Sequence, residues 1–95
     1  MGNAYVLGHI SVIDTEKWAA YRNQVPATLA PWGAELVLRG NLVTALAGGL
    51  PYSDVVLIRF PDQQAVNNWY GSAAYQALIP LREQAAAVVL LSYEA

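Results

Sequence analysis

"ELVLRGNLVTALAGGLPYSDVVLIRF", residues 35–60, contains two apolar runs and two places where the chain could turn. One is Gly40-Asn41, which could close a hairpin or mark a bulge. The other is 47–54, where Gly, Pro, Ser and Asp cluster. If both reversed the chain, the strand directions would not fit a β-α-β-β-α-β order, which needs a single reversal here. The stretch therefore predicts one bent strand over 35–46, bulged near Gly40, followed by a turn and a strand over 54–60.

The rest of the chain falls into place on either side. "AYVLGHISV", 4–12, reads as a strand with a mixed face (Tyr5, Leu7, His9, Ser11) and an apolar one. "DTEKWAAYRNQV" reads as a helix capped by Asp14 or Thr15, with Trp18, Tyr21 and Val25 on one stripe. Pro26 predicts a kink or restart, and Gly33 suits the C-terminal turn. After the 54–60 strand, "PDQQAVNNWYG" predicts a short helix capped near Asp62. Ser72 caps a second one. Tyr75, Leu78, Ile79 and Arg82 form its inward stripe, and Pro80 removes one ladder bond. "VVLLSYE", 88–94, is the last strand. The order predicts a ferredoxin-like α+β domain spanning 1–95, an antiparallel sheet with both helices on one face.

That architecture leaves the other sheet face bare. The chain has 95 residues, 56% hydrophobic and 13% charged. A domain this small buries only about two-thirds of its surface, so some apolar residues must lie outside its own core. Self-association through the bare face is the expected consequence. Five scattered basic residues and a net charge of −2 give no basic footprint, so neither a nucleic-acid nor an anionic membrane partner is expected. No apolar run approaches the roughly 20 residues of a membrane span. "MGNAYVLGHI" has no signal-peptide features, and Val6 replaces the Ser or Thr of a myristoylation signal. A cytoplasmic location fits the absence of cysteine, which also removes disulfides, thiolate metal sites and cysteine nucleophiles.

Few residues can carry chemistry. His9, the single histidine, is a candidate general base; the competing reading is a half-buried histidine at an interface. It has no partner spaced for a metal, and it sits on a strand, so neither metal nor haem is expected. No flavin or other cofactor is expected either. Trp18, Trp32 and Trp69 read as core before they read as the walls of a flavin or quinone pocket. Arg39 and Arg59 could hold a carboxylate ligand, but pairing of Arg39 with Glu35, two turns of the pleat away on the same face, is the simpler expectation. An inward Arg82 needs a polar partner, either a protein carboxylate such as Glu94 or an anionic ligand. A small-molecule pocket is expected between sheet and helices, with Tyr21, Arg39, Tyr70, Tyr75 and Arg82 as its candidate residues.

"VPATLAPWG", "LVLRG", "IRFPDQQAVNNWYGSAAYQALIPLR" and the terminal "YE" resemble the domain of unknown function 1330 family of small bacterial proteins over nearly the whole chain. The resemblance implies the dimeric α+β barrel superfamily, in which ferredoxin-like subunits pair through their sheets. That superfamily includes cofactor-independent quinone-forming monooxygenases, muconolactone isomerases and haem-dependent chlorite dismutases. Arg59 and Ala47 depart from the family pattern, in which acidic residues are common at both places. Two functions follow as expectations: a cofactor-independent enzyme acting on an aromatic or carboxylated metabolite, or a non-catalytic small-molecule binding or stress-linked protein.

Overall fold

A computed structural model describes residues 2–95. The strands are β1 (Ala4–Val12), β2 (Glu35–Asn41), β3 (Asp54–Phe60) and β4 (Ala86–Glu94). The helices are α1 (Thr15–Leu29), α2 (Gln63–Tyr70), α3 (Ala73–Gln76) and α4 (Ile79–Ala85). The four strands form one antiparallel sheet in the order β2-β3-β1-β4. This is the ferredoxin-like arrangement, with the helices against one face.

Local chemistry sets the helix starts. Asp14 accepts from the Lys17 amide at 3.0 Å, Asp62 from the Ala65 amide at 2.8 Å, and Ser72 from the Tyr75 amide at 3.2 Å. Each satisfies an orphan donor of a first turn. After α1 a single 3₁₀ turn, Ala30–Trp32, leads to Gly33 at φ 67°, the left-handed geometry that glycine adopts without penalty.

Four expectations need correction. Helix α1 runs through Pro26 without restarting. Pro26 and Arg22 are both exposed, so water can serve the Arg22 carbonyl that Pro26 leaves without a donor. The inward stripe after Ser72 is carried by two short helices rather than one. Pro80 falls in the first turn of α4, where a missing N–H costs nothing. Strand β2 ends at Asn41, and 42–53 form no regular element. Finally, the bulge lies at Val37, between Leu36 and Leu38, rather than near Gly40. Gly40 does not reverse the chain, and it pairs regularly with Val55.

The register sorts the sheet into rows. Toward the helices stand Leu36–Ile58–Val6–Ser92, Arg39–Val56–Gly8–Leu90 and Asn41–Asp54–Ile10–Val88. Toward the open side stand Glu35–Arg59–Tyr5–Tyr93, Leu38–Leu57–Leu7–Leu91 and Gly40–Val55–His9–Val89. The core lies between sheet and helices, with Trp69, Tyr75 and Phe60 its largest fully buried side chains. A Cβ on Gly8 would stand 2.7 Å from Val56 Cγ1, so glycine there lets Val56 and Leu90 close over β1. The open side keeps Leu38, Leu91 and Tyr93 exposed, and the 42–53 segment beside it exposes Leu42, Val43, Leu46 and Leu50. Among the described residues no helix is long and apolar enough to cross a membrane.

Candidate functional site

Four of the expected pocket residues meet between helices and sheet. Tyr21 projects from α1 and Tyr75 from α3, and their hydroxyl oxygens lie 2.8 Å apart. Arg82, on α4 and half-buried, donates from Nη1 to the Tyr75 hydroxyl at 2.9 Å. The Tyr70 ring packs 5.4 Å from that of Tyr75. Trp69 lies 4.3 Å from Tyr75 and donates its indole N–H to Thr28 Oγ1 at 3.0 Å. Thr28 donates in turn to the Val25 carbonyl at 2.7 Å, so the one buried polar side chain outside the tyrosines is satisfied.

The tyrosine pair leaves one hydrogen over. Two hydroxyls carry two hydrogens, and the bond between them uses one. Tyr75 also accepts from Arg82, and neither phenol has another acceptor among the described residues. One phenolic O–H is therefore available to something else. Tyr75 is fully buried, whereas Tyr21 borders a small cavity of about 30 Å³. Burial, then the Tyr75 oxygen, push the Tyr21 hydroxyl well above its ordinary value, so it remains a donor. Burial opposes the charge of Arg82, but the Tyr70 and Tyr75 oxygens outweigh it and hold the guanidinium above its ordinary value.

Arg82 has no carboxylate partner; the only ion pair among the described residues joins Arg59 to Glu35. The expected Glu94 partner sits at the far end of β4 from α4, opposite Ala4. Arg82 instead borders a cleft of about 390 Å³ between α2 and β4. Tyr70, Trp69, Asn67, Gln63 and Ser92 complete its polar and aromatic lining, and Val88 and Leu90 form its apolar floor. The small cavity beside Tyr21 shares Trp69, Val88 and Leu90 with this cleft.

Arg39 lies apart from the cluster. The bulge puts Val37 outside the alternation, so Glu35 and Arg39 point to opposite faces and cannot pair as expected. Glu35 meets Arg59 across the strand, and Arg39 turns toward α1. There it borders both the small cavity and an outer recess of about 130 Å³, with Trp18 and Arg22. Burial, then the nearby Arg22 charge, pull the Arg39 guanidinium below its ordinary value.

His9 is not part of either arrangement. It lies on the open face, its ring centre 6.1 Å from that of Tyr52, with the sheet between it and the tyrosines. Trp18 and Trp69 are core residues, and Trp32 packs partly buried against them. No group of three His, Asp or Glu side chains comes together among the described residues. Sequence reasoning missed Arg22, Gln63, Asn67 and Ser92. Arg22 adjoins Tyr21 on α1, but its relevance depends on the bulge that brings Arg39 to it, and nothing in the spacing marks that bulge.

The fold is shared with solved structures of low sequence identity. A protein of unknown function from Rhodopseudomonas palustris, RPA0582, superposes with a TM-score of 0.84 at 17% identity, over 99% of this chain and 82% of that one. A dimeric ferredoxin-like protein of unknown function from Jannaschia matches at 0.79 and 12% identity, over 99% and 100%. SnoaB, a cofactor-independent oxygenase from Streptomyces nogalater, matches at 0.73 and 10% identity, over 100% and 94%. No curated protein matches the chain. The profile of the domain of unknown function family DUF1330 matches residues 3–94, and with that coverage the chain belongs to this family.

Proposed function

We propose that the protein is a homodimeric small-molecule binder whose ligand is an anionic, partly aromatic metabolite held in the α2–β4 cleft. The observation that carries this reading is Arg82: a half-buried cation at a cleft wall, held by a neutral hydroxyl and by no carboxylate. A guanidinium so placed keeps donors free for the forked bonds that a carboxylate accepts. The cleft volume falls within the range of small-molecule sites, and its lining combines apolar floor, aromatic wall and a few polar groups. The open sheet face is the surface for the second copy, in keeping with the dimeric Jannaschia relative.

The test pairs two measurements on the parent and Arg82→Met proteins. Titration with 2-naphthoate, followed by amide NMR, should shift residues of α2 in the parent and leave them unmoved in the variant. Urea unfolding without ligand should show a loss of only about 1 kcal/mol, the worth of one hydrogen bond. A loss of several kcal/mol with naphthoate binding retained would make Arg82 a structural residue.

A second reading, a cofactor-independent enzyme, draws on the Tyr21–Tyr75–Arg82 chain, whose Arg82 end borders the cleft and whose Tyr21 end borders the small cavity beside it. A hydroxyl that keeps its proton beside a cation is suited to stabilising negative charge on a substrate oxygen. Oxygen uptake with a phenolic substrate, abolished by Tyr21→Phe, would support it; no uptake above buffer leaves binding as the function.

A further inference from the structure

The β2 bulge has a chemical consequence away from the α2–β4 cleft, where β2 meets α1. Arg39 sits in a helix-facing row otherwise made of Val56, Gly8 and Leu90. It shares its recess with Arg22, so two cations stand on one small concavity. No acidic side chain lies within ion-pair distance of either. The one carboxylate bordering the recess, Asp54, accepts instead from the Asn41 side chain at 2.9 Å. The Trp18 ring, stacked 5.1 Å from Tyr21, forms an aromatic wall. Behind Arg39 the small cavity, which Tyr21 also lines, adjoins the tyrosine pair that holds the unclaimed phenolic hydrogen.

We propose that Arg22 and Arg39, with the Trp18 ring and the Tyr21 hydroxyl behind them, form a second anion site for a compact aromatic carboxylate. The carboxylate takes donors from the two guanidinium groups, and the ring lies against Trp18. One oxygen directed inward accepts from Tyr21. That acceptance fixes the sense of the whole chain: Arg82 donates to Tyr75, Tyr75 to Tyr21, and Tyr21 to the ligand. A guanidinium at the far end polarises each successive bond of the chain. Asp54, the one carboxylate on the rim, opposes the anion, and its bond to Asn41 engages one of its two oxygens. The recess of about 130 Å³ limits the ligand to a single ring, which separates it from the larger cleft.

Benzoate is the probe, and the indole N–H signals report the site. Binding in the recess should move the Trp18 signal and leave Trp69, which is committed to Thr28, nearly in place. Arg39→Gln should weaken the Trp18 response at least tenfold, with Arg39→Lys recovering part of it. Arg82→Met, which removes the proposed cleft contact, should leave benzoate bound in the recess, weakened no more than a few-fold by the shortened donor chain. Arg39 is exposed, so its variants are expected to fold, and a circular dichroism spectrum checks this. The proposal is overturned if benzoate shifts only α2 and Trp69, or if Arg39→Gln binds as the parent does. It is also overturned if benzoate fails to bind and Arg39→Gln dissociates a dimer, because the two arginines then serve a partner's carboxylate.

Discussion

At the scale of single residues, Tyr21 links protonation to stability. Its folded-state value is raised, by burial first and the Tyr75 oxygen second, while in the unfolded chain it ionises near the ordinary tyrosine value of about 10. The folded state therefore holds a proton that the unfolded state releases above about pH 10. The stabilisation from this group is fully present below that pH and is lost progressively as pH rises further. Urea midpoints measured from pH 8 to 11 should fall above pH 10, by at most about 1.4 kcal/mol per pH unit for one proton. Tyr21→Phe should flatten that limb. Persistence of the same slope in the variant would assign it to other tyrosines. Arg82 is legible from sequence as an inward residue, because Tyr75, Leu78 and Ile79 repeat at helical spacing ahead of it. Its partner is not legible. A tyrosine hydroxyl contributed from a separate helix leaves no local trace, and the nearby glutamate in sequence lies at the wrong end of a strand.

Among the elements, caps and turns are written locally and can be tested locally. Gly33 occupies φ 67°, so Gly33→Ala should cost about 1 kcal/mol through the left-handed penalty, read as a lower urea midpoint with unchanged slope. Gly33→Asn should cost less, since asparagine tolerates that region. An alanine variant as stable as the parent would mean that the turn relaxes. The caps Asp14, Asp62 and Ser72 were readable because each precedes an amphipathic run and acts within three residues. The bulge at Val37 was not. Glycine made residue 40 the natural choice, yet any residue can form the extra position of a bulge, and its place is decided by how β2 meets β3. That one-residue difference moves Arg39 to the other face and breaks the expected pair with Glu35. Ser72 marked the helix start after Gly71, but the single helix expected there is two short ones, and the break before Pro80 needed the structure to show it.

The whole molecule divides its sheet between two tasks. One face packs against the helices and shapes the cleft, the small cavity beside Tyr21 and the recess. The other carries a row of leucines, Leu38–Leu57–Leu7–Leu91, across all four strands, with aromatic and charged residues beside it. Fully burying an exposed leucine is worth roughly 1.5–3 kcal/mol; Leu38 and Leu91 are still exposed in the single chain, so a second copy on this row gains apolar burial to set against the cost of association. The excess of apolar residues announces such a face in the sequence, because a chain this short cannot hide them. Sedimentation equilibrium at micromolar concentration is the direct test of that division. The parent should sediment at twice its 10.3 kDa chain mass. Leu57→Asp, which places a charge at the centre of the row without touching the helix side, should sediment at the mass of one chain while keeping its helical circular dichroism. A parent that runs as a monomer, or a folded Leu57→Asp protein that remains a dimer, would contradict pairing through the open face.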